Sequence, residues 1–271
     1  QVLGSSPTPD ASGSRNVVSA FAEFAVPLIV DKPFIESLNL QIAGRYEDFS
    51  DVGSIFKPKV AMAWVMNDNA MIRGAYSGGF KAPGLPQTTA VDVARSNTRS
   101  DPVTQTSRGT LELRNGSDSL SPEESENYSF GIVLTPMKDL TLTVDWWEIQ
   151  QENTVGILSS QTLILYDALL RSQGSEYENV IRDENNEIVY IRNDYTNLLP
   201  REISGVDYSV DYRFETEMGN FSVKLSAANL TKFDQGTDAI TAMVLEAQDA
   251  GNEALLYEGD QGSISGTSGS L

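Results

Sequence analysis

The spacing between alternating runs constrains this chain more than any other feature. Eight stretches set apolar against polar residues with a period of two, as strands with one greasy and one polar face do. They are Val17–Leu28, Leu38–Glu47, Lys57–Met66, Ala70–Gly79, Glu126–Thr135, Leu140–Ile149, Ile203–Phe214 and Phe221–Leu230. Within successive pairs the links are short and rich in turn formers: Asp31-Lys32-Pro33, Asn67-Asp68-Asn69, Pro136-Met137-Lys138-Asp139 and Glu215–Asn220. Between pairs they differ in kind. Asp48 to Phe56 is moderate, Phe80 to Ser125 and Gln150 to Glu202 are far longer, and the tail from Thr231 reads as another. Compact soluble domains seldom repeat connections beyond ~15 residues. Alternation of short turns with long loops is instead the habit of transmembrane barrels. The expected fold is all-β: an antiparallel transmembrane β-barrel sector of about eight strands in four hairpins.

The faces fit that expectation. Leu38, Leu40, Ile42, Gly44 and Tyr46 share one side of the second run, and Asn39, Gln41, Ala43, Arg45 and Glu47 share the other. Val206, Tyr208, Val210, Tyr212 and Phe214 oppose Gly205, Asp207, Ser209, Asp211 and Arg213 in the seventh. Tyr46, Tyr76, Tyr128 and Trp146 sit near run ends on the apolar side, as an interfacial girdle does. Cross-strand packing in the core of a soluble sandwich would use the same pattern, so alternation alone leaves both architectures open. Residues 159–175 break the period: Leu163, Tyr166, Leu169 and Leu170 recur at helical spacing before Gly174. A short helix is expected inside the third long loop, followed by a hairpin turning at Asn185-Asn186.

Composition removes several function classes. The net charge of −19 argues against nucleic acid, which needs a basic footprint. With no cysteine there is no disulfide framework or thiol chemistry, and with no histidine there is no Ser-His-Asp catalysis and scarcely a zinc site. Hydrophobic residues make up 40%, with no run near the ~20 of a membrane helix. Both ends, "QVLGSSPTPDASGSRN" and "GDQGSISGTSGSL", read as polar loop, as in a piece of a longer chain.

Chemical motifs are weak. Ser54 and Lys57 form an S-x-x-K without supporting motifs. Glu123, Glu124 and Glu126 are adjacent loop carboxylates, which says nothing of the opposed pair a glycosidase needs. "DENNE" at 183–187 offers oxygen ligands without calcium-loop spacing and reads as a turn. Asn-x-Ser/Thr matches at Asn115, Asn127 and Asn229 carry little weight. No enzyme activity and no cofactor are called for.

Longer stretches carry a family resemblance. "GRYEDFSDVGSIFKPKVAMAW" (44–64), "IRGAYSGGFKAPGLPQ" (72–87), "LSPEESENYSFGIVL" (120–134), "LTLTVDWWEIQQENTVGIL" (140–158) and "YTNLLPREISGVDYSVDYRF" (195–214) resemble successive signatures of TonB-dependent outer-membrane receptors. The matching positions are Arg45, Tyr46, Ser50, Asp51, Gly53, Pro58 and Lys59, then Phe80, Lys81, Ala82 and Pro83, then Pro122, Glu123, Asn127 and Tyr128. Lys81 stands where the family has arginine, Gly84 where it has serine, and Ser129 where it has glutamate.

The resemblance implies that residues 1–271 belong to the later part of a large barrel, with a plug domain and final strands outside this sequence. Leu38, Leu40, Ile42 and Tyr46 would face outer-membrane lipid, and Asn39, Gln41, Arg45 and Glu47 the lumen. It further implies uptake of a scarce ligand, energised by the TonB–ExbB–ExbD complex through an N-terminal region. Ferric siderophores are the usual cargo, with cobalamin, haem and oligosaccharides as other classes; the lack of histidine disfavours haem. Arg95, Arg99, Arg108 and Arg114, clustered in one loop, are candidate ligand contacts because guanidinium forks suit anionic oxygens, although solvated arginines would look the same. Arg45, Arg73 and Lys81 are lumenal candidates. The alternatives are a soluble secreted β-sandwich that binds glycans and a passive porin.

Overall fold

The computed structural model describes residues 9–258. The loop readings of 1–8 and 259–271 lie outside them. In chain order the elements are β1 (Val17–Lys32), β2 (Ile35–Phe49), β3 (Gly53–Asn67), β4 (Ala70–Lys81), α1 (Leu85–Thr89), β5 (Val93–Asp101) and β6 (Thr106–Arg114). Then come β7 (Glu123–Met137), β8 (Leu140–Glu152), β9 (Val155–Gly156), α2 (Ser160–Ser172), β10 (Val180–Arg182) and β11 (Ile188–Arg192). The last are β12 (Thr196–Asn197), β13 (Arg201–Thr216), β14 (Gly219–Gln235), α3 (Ala239–Asp249) and a 3-10 turn at Glu253–Leu255.

All eight alternating runs become strands of one sheet, ordered β1-β2-β3-β4-β7-β8-β13-β14 with β1 and β14 at its edges. Each neighbouring pair is antiparallel. The four short turns therefore share one end, and the long connections share the other. Asp31, Phe34 and Asp139 take positive φ (55°, 62° and 63°) in two of these turns, as tight reversals require. Two connections differ from expectation. The link at 48–56 shrinks to the turn Ser50–Val52, because β2 and β3 stay in register to Phe49↔Gly53. The tail from Thr231 first continues β14 to Gln235 and then forms α3.

Residues paired directly across an antiparallel ladder share a face, so the register fixes both faces. One row runs Val60↔Tyr76↔Tyr128, and others join Ile132↔Val144↔Tyr208 and Leu134↔Leu142↔Val210↔Leu225. This face is apolar from the short turns up to Tyr46, Tyr128, Trp146 and Val206, and none of the described residues covers it: Ile42 is 45% exposed, Phe130 48% and Leu225 62%. Beyond it come Glu126, Glu148, Gln150 and Glu202. The apolar rows span roughly the ten residues that cross a bilayer, and the strands continue past them.

The core lies elsewhere. Every buried apolar side chain among the described residues, from Ala94 and Leu120 to Val244 and Leu255, is outside the eight-stranded sheet. A sandwich buries the apolar face of its sheet, so the soluble reading fails here. No helix among the described residues is long and apolar enough to span a membrane, which leaves strand crossing untouched.

The long connections are folded rather than merely polar. β5 and β6 form a hairpin that joins β10 and β11 in a second sheet, ordered β10-β11-β6-β5. The helix read from residues 159–175 is α2, capped by Ser159 and closed by Gly174 at φ +80°. Asp183 Oδ1 accepts the N–H groups of Asn185 and Glu187, making 183–187 the expected hairpin turn.

Candidate functional site

Three signatures meet at the outer rim. Ser50 exchanges hydrogen bonds with Asn16: its N–H donates to the Asn16 carbonyl at 3.0 Å, and its hydroxyl accepts the Asn16 N–H at 3.1 Å. Asp51 takes a two-pronged bond from Arg15, with Nη2 at 2.7 Å, and the same guanidinium donates to the Pro83 carbonyl at 2.8 Å. The guanidinium also lies over the Phe49 ring, which meets Phe80 edge-on at 5.5 Å. Gly53 supplies φ +82° for the turn. Arg15 beside Asp51 holds its carboxyl below the usual carboxylate range. Ser50, Asp51, Gly53, Phe80 and Pro83 of these first two signatures thus rivet the β2–β3 turn to the end of β4. Arg15, which sequence reasoning missed, is the rivet; no local pattern marks it because Asp51 is 36 residues away.

The remaining signature positions divide by face. Tyr46, Pro58 and Tyr128 lie in outward rows, and Tyr128 packs on Tyr76 with ring centroids 5.2 Å apart. Arg45, Lys59 and Asn127 lie in inward rows, and the Asn127 amide donates to the Ser77 carbonyl at 3.1 Å. Lys81 pairs with Glu123 at 3.1 Å, and Glu123 also accepts the Val155 N–H, tying β7 to the connection between β8 and β13. Ala82 and Pro83 lead the chain away from β4, while Pro122 precedes β7.

On the inward face a concavity of about 450 Å³ is lined by Phe21, Arg45, Glu47, Lys57 and Lys59, among others. Arg45 Nε donates to the buried Glu47 at 2.6 Å. Lys57 reaches Glu124 at 2.5 Å, and Gly78 clears its path, since a Cβ there would come within 3.0 Å of the Lys57 stem. Phe21 is 80% exposed and lies in the same inward row as Arg45. Arg73, also inward, is ion-paired to Asp145 at 2.7 Å.

The four loop arginines are not gathered into one cluster. Arg99 Nε donates to Ser160 at 2.8 Å, Arg114 to the buried Glu112 at 2.7 Å, and Arg108 pairs with Glu187. Arg95 is exposed, and among the described residues its side chain bonds only to the neighbouring Ala94 carbonyl. Among the described residues no group of three or more acidic side chains is arranged to hold a metal ion.

Residues 2–267 match the family of TonB dependent receptor-like β-barrels. The chain belongs to the TonB-dependent receptors. The barrel domain of these receptors is an outer-membrane domain, which agrees with the uncovered apolar band. Solved structures share the fold. The siderophore receptor PirA from Acinetobacter baumannii aligns with TM-score 0.54 and 17% identity, over 82% of this chain and 28% of that one. A mutant of the ferric enterobactin receptor PfeA from Pseudomonas aeruginosa, in complex with enterobactin, aligns with TM-score 0.56 and 15% identity over 80% and 27%. The hemophore receptor HasR from Serratia marcescens, a double mutant in complex with its hemophore and heme, aligns with TM-score 0.52 and 13% identity over 80% and 34%. No curated protein matches in sequence. The chain thus spans about a quarter to a third of the receptors it resembles.

Proposed function

We propose that this chain is part of the wall and outer loops of an importer for a ferric siderophore, energised through TonB–ExbB–ExbD. The observation that carries the reading is the inward concavity, where three cationic side chains, Arg45, Lys57 and Lys59, stand beside an exposed Phe21. Ferric siderophores combine anionic or carbonyl oxygens with an organic, often aromatic, body, and cations beside an aromatic ring complement both. The outer loop arginines, Arg95 foremost because it is exposed, would meet the cargo first. The fold shared with siderophore receptors supports this; the hemophore receptor supports the family rather than haem, since this chain offers no histidine. An oligosaccharide importer is the second reading, supported by the amide and small side chains of Asn39, Gln41, Ala61, Ala63 and Ser129 on the inward face, where the one charged neighbour in the lining, Arg73, is already paired with Asp145.

The test is equilibrium binding of ferric catecholate, hydroxamate and carboxylate chelates, and of an oligosaccharide set, to the full-length receptor in detergent. Saturable binding of one ferric chelate, weakened at least tenfold by Arg45→Ala and Phe21→Ala together, is expected. Saturable oligosaccharide binding with no ferric chelate bound would overturn the siderophore reading.

A further inference from the structure

Three connections far apart in sequence share a single interior. The first supplies Val103, between β5 and β6; the second supplies Leu165, Ala168 and Leu169 of α2; the third supplies Val244 of α3 and Leu255 beyond it. The opposite flank of α2 packs Leu163 and Ile164 against Val180 and Ile191, with Ile240 of α3 alongside. Polar contacts repeat the connection. Gln161 bonds the backbone of Ser100 in both directions, at 3.1 and 2.7 Å, as another strand would. Gln105 donates to the Leu256 carbonyl and accepts the Glu258 N–H, joining the first connection to the third.

At the junction lies a buried ion network. The Arg182 side chain is 2% exposed between Asp101 (6%) and Asp167 (0%). It donates a two-pronged bond to Asp101 at 2.6 and 2.9 Å, a bond to Asp167 at 2.8 Å and one to the Asn186 carbonyl at 2.7 Å. Asp167 also takes bonds from Arg171 and the Tyr177 N–H, and Asp101 from Val103 N–H and Thr104. Each carboxylate is satisfied, and only a planar, always charged fork can bond both at once.

We infer that these outer connections open and close as one rigid body, with Arg182 as the positioning residue that holds the first to the second. Cargo would then enter by displacement of this whole cap rather than by independent motion of single loops. Removing Arg182 leaves the buried Asp101 without a counter-charge and Asp167 with Arg171 alone, so the first and second connections lose the charge that joins them and the loosening must reach both and, through α2, the third.

Hydrogen exchange on the full-length receptor tests this without any ligand, so the outcome is independent of the siderophore reading. In Arg182→Met, peptides from β6, α2 and α3 are expected to exchange at least tenfold faster together, with the 206–212 strand segment unchanged. Faster exchange confined to 180–192, or none, would overturn the inference. Val244→Ala enters from the third connection and decides the matter if Arg182→Met yields no folded receptor. Faster exchange in β6 as well as α3 supports a single body, and acceleration confined to 239–255 contradicts it.

Discussion

Arg73 on β4 and Asp145 on β8 form an ion pair at 2.7 Å across the intervening strand β7. They meet because residue 131, between them in the ladder, is glycine: a Cβ there would fall 1.9 Å from Asp145 Oδ1. Lys57 and Glu124 repeat the arrangement over Gly78. In each case a glycine inside a strand opens a saddle through which the lumenal or rim charges of non-adjacent strands pair.

The saddle predicts a change of sign. Gly131→Ala should destabilise the barrel in lipid vesicles by up to about 1 kcal/mol, the scale of a partly exposed ion pair. In an Asp145→Ala background the same change should be neutral or stabilising by about 0.5 kcal/mol, because alanine is stiffer than glycine in the unfolded chain. Urea titrations of the four proteins complete the cycle. Equal effects in both backgrounds would contradict the saddle.

Adjacent residues on β13 should respond unequally to arginine. Val210 lies in the outward row with Leu142 and Leu225, and Ser209 in the inward row with Thr143 and Ser226. Val210→Arg should cost roughly 2–4 kcal/mol of folding in bilayers if it sits near mid-membrane, and Ser209→Arg far less. Similar folded yields would count against the assigned faces.

Acid should loosen the rim rivet. Arg15 lowers the Asp51 pKa below its ordinary value of 3.8, so the ionised carboxylate adds stability above that value. The contribution is lost as pH falls through the lowered folded-state pKa. Asp51→Asn should therefore be less stable than the wild type at pH 6, and the gap should close as the pH is taken down through the lowered folded-state value. A gap that stays constant across this range would remove the ionic contribution.

Core damage in the cap should stay in the cap. Ile164 is fully buried, and Ile164→Ala should cost about 2–5 kcal/mol of local stability. The eight-stranded sheet has no buried apolar side chain in common with that core, so its own unfolding should not move. Native-state hydrogen exchange reads both, and an equal shift of the sheet would show the two are one cooperative unit.

The eight strands were legible because their faces meet different solvents, and Val206 against Asp207 or Ile42 against Gln41 displays that difference residue by residue. α2 was legible for the same reason, at helical spacing. The β5–β6 hairpin was not: Arg95, Asn97 and Arg99 alternate with Ser96, Thr98 and Ser100, so both faces are polar and its pairing rests on backbone bonds. α3 escaped because its packing partners, Leu165 and Leu169, belong to another connection. The candidate site was legible only in part. The signature residues were found, but that several of them serve as a rivet depends on Arg15, and that the loop arginines hold the cap together depends on partners such as Ser160 and Glu187.

The central claim is that the two faces of this sheet meet lipid and water respectively. The sequence has no cysteine, so single cysteines can be placed on it freely. The most direct measurement puts them at Leu40 and Gln41, and at Val210 and Asp211, in receptor embedded in bilayers. Each is then scored for reaction with a water-soluble, membrane-impermeant maleimide and, as a spin label, for collision with lipid-dissolved oxygen. Positions 41 and 211 should react with the maleimide, while 40 and 210 should resist it and report oxygen. Reaction at 40 and 210 equal to that at 41 and 211 would contradict the account.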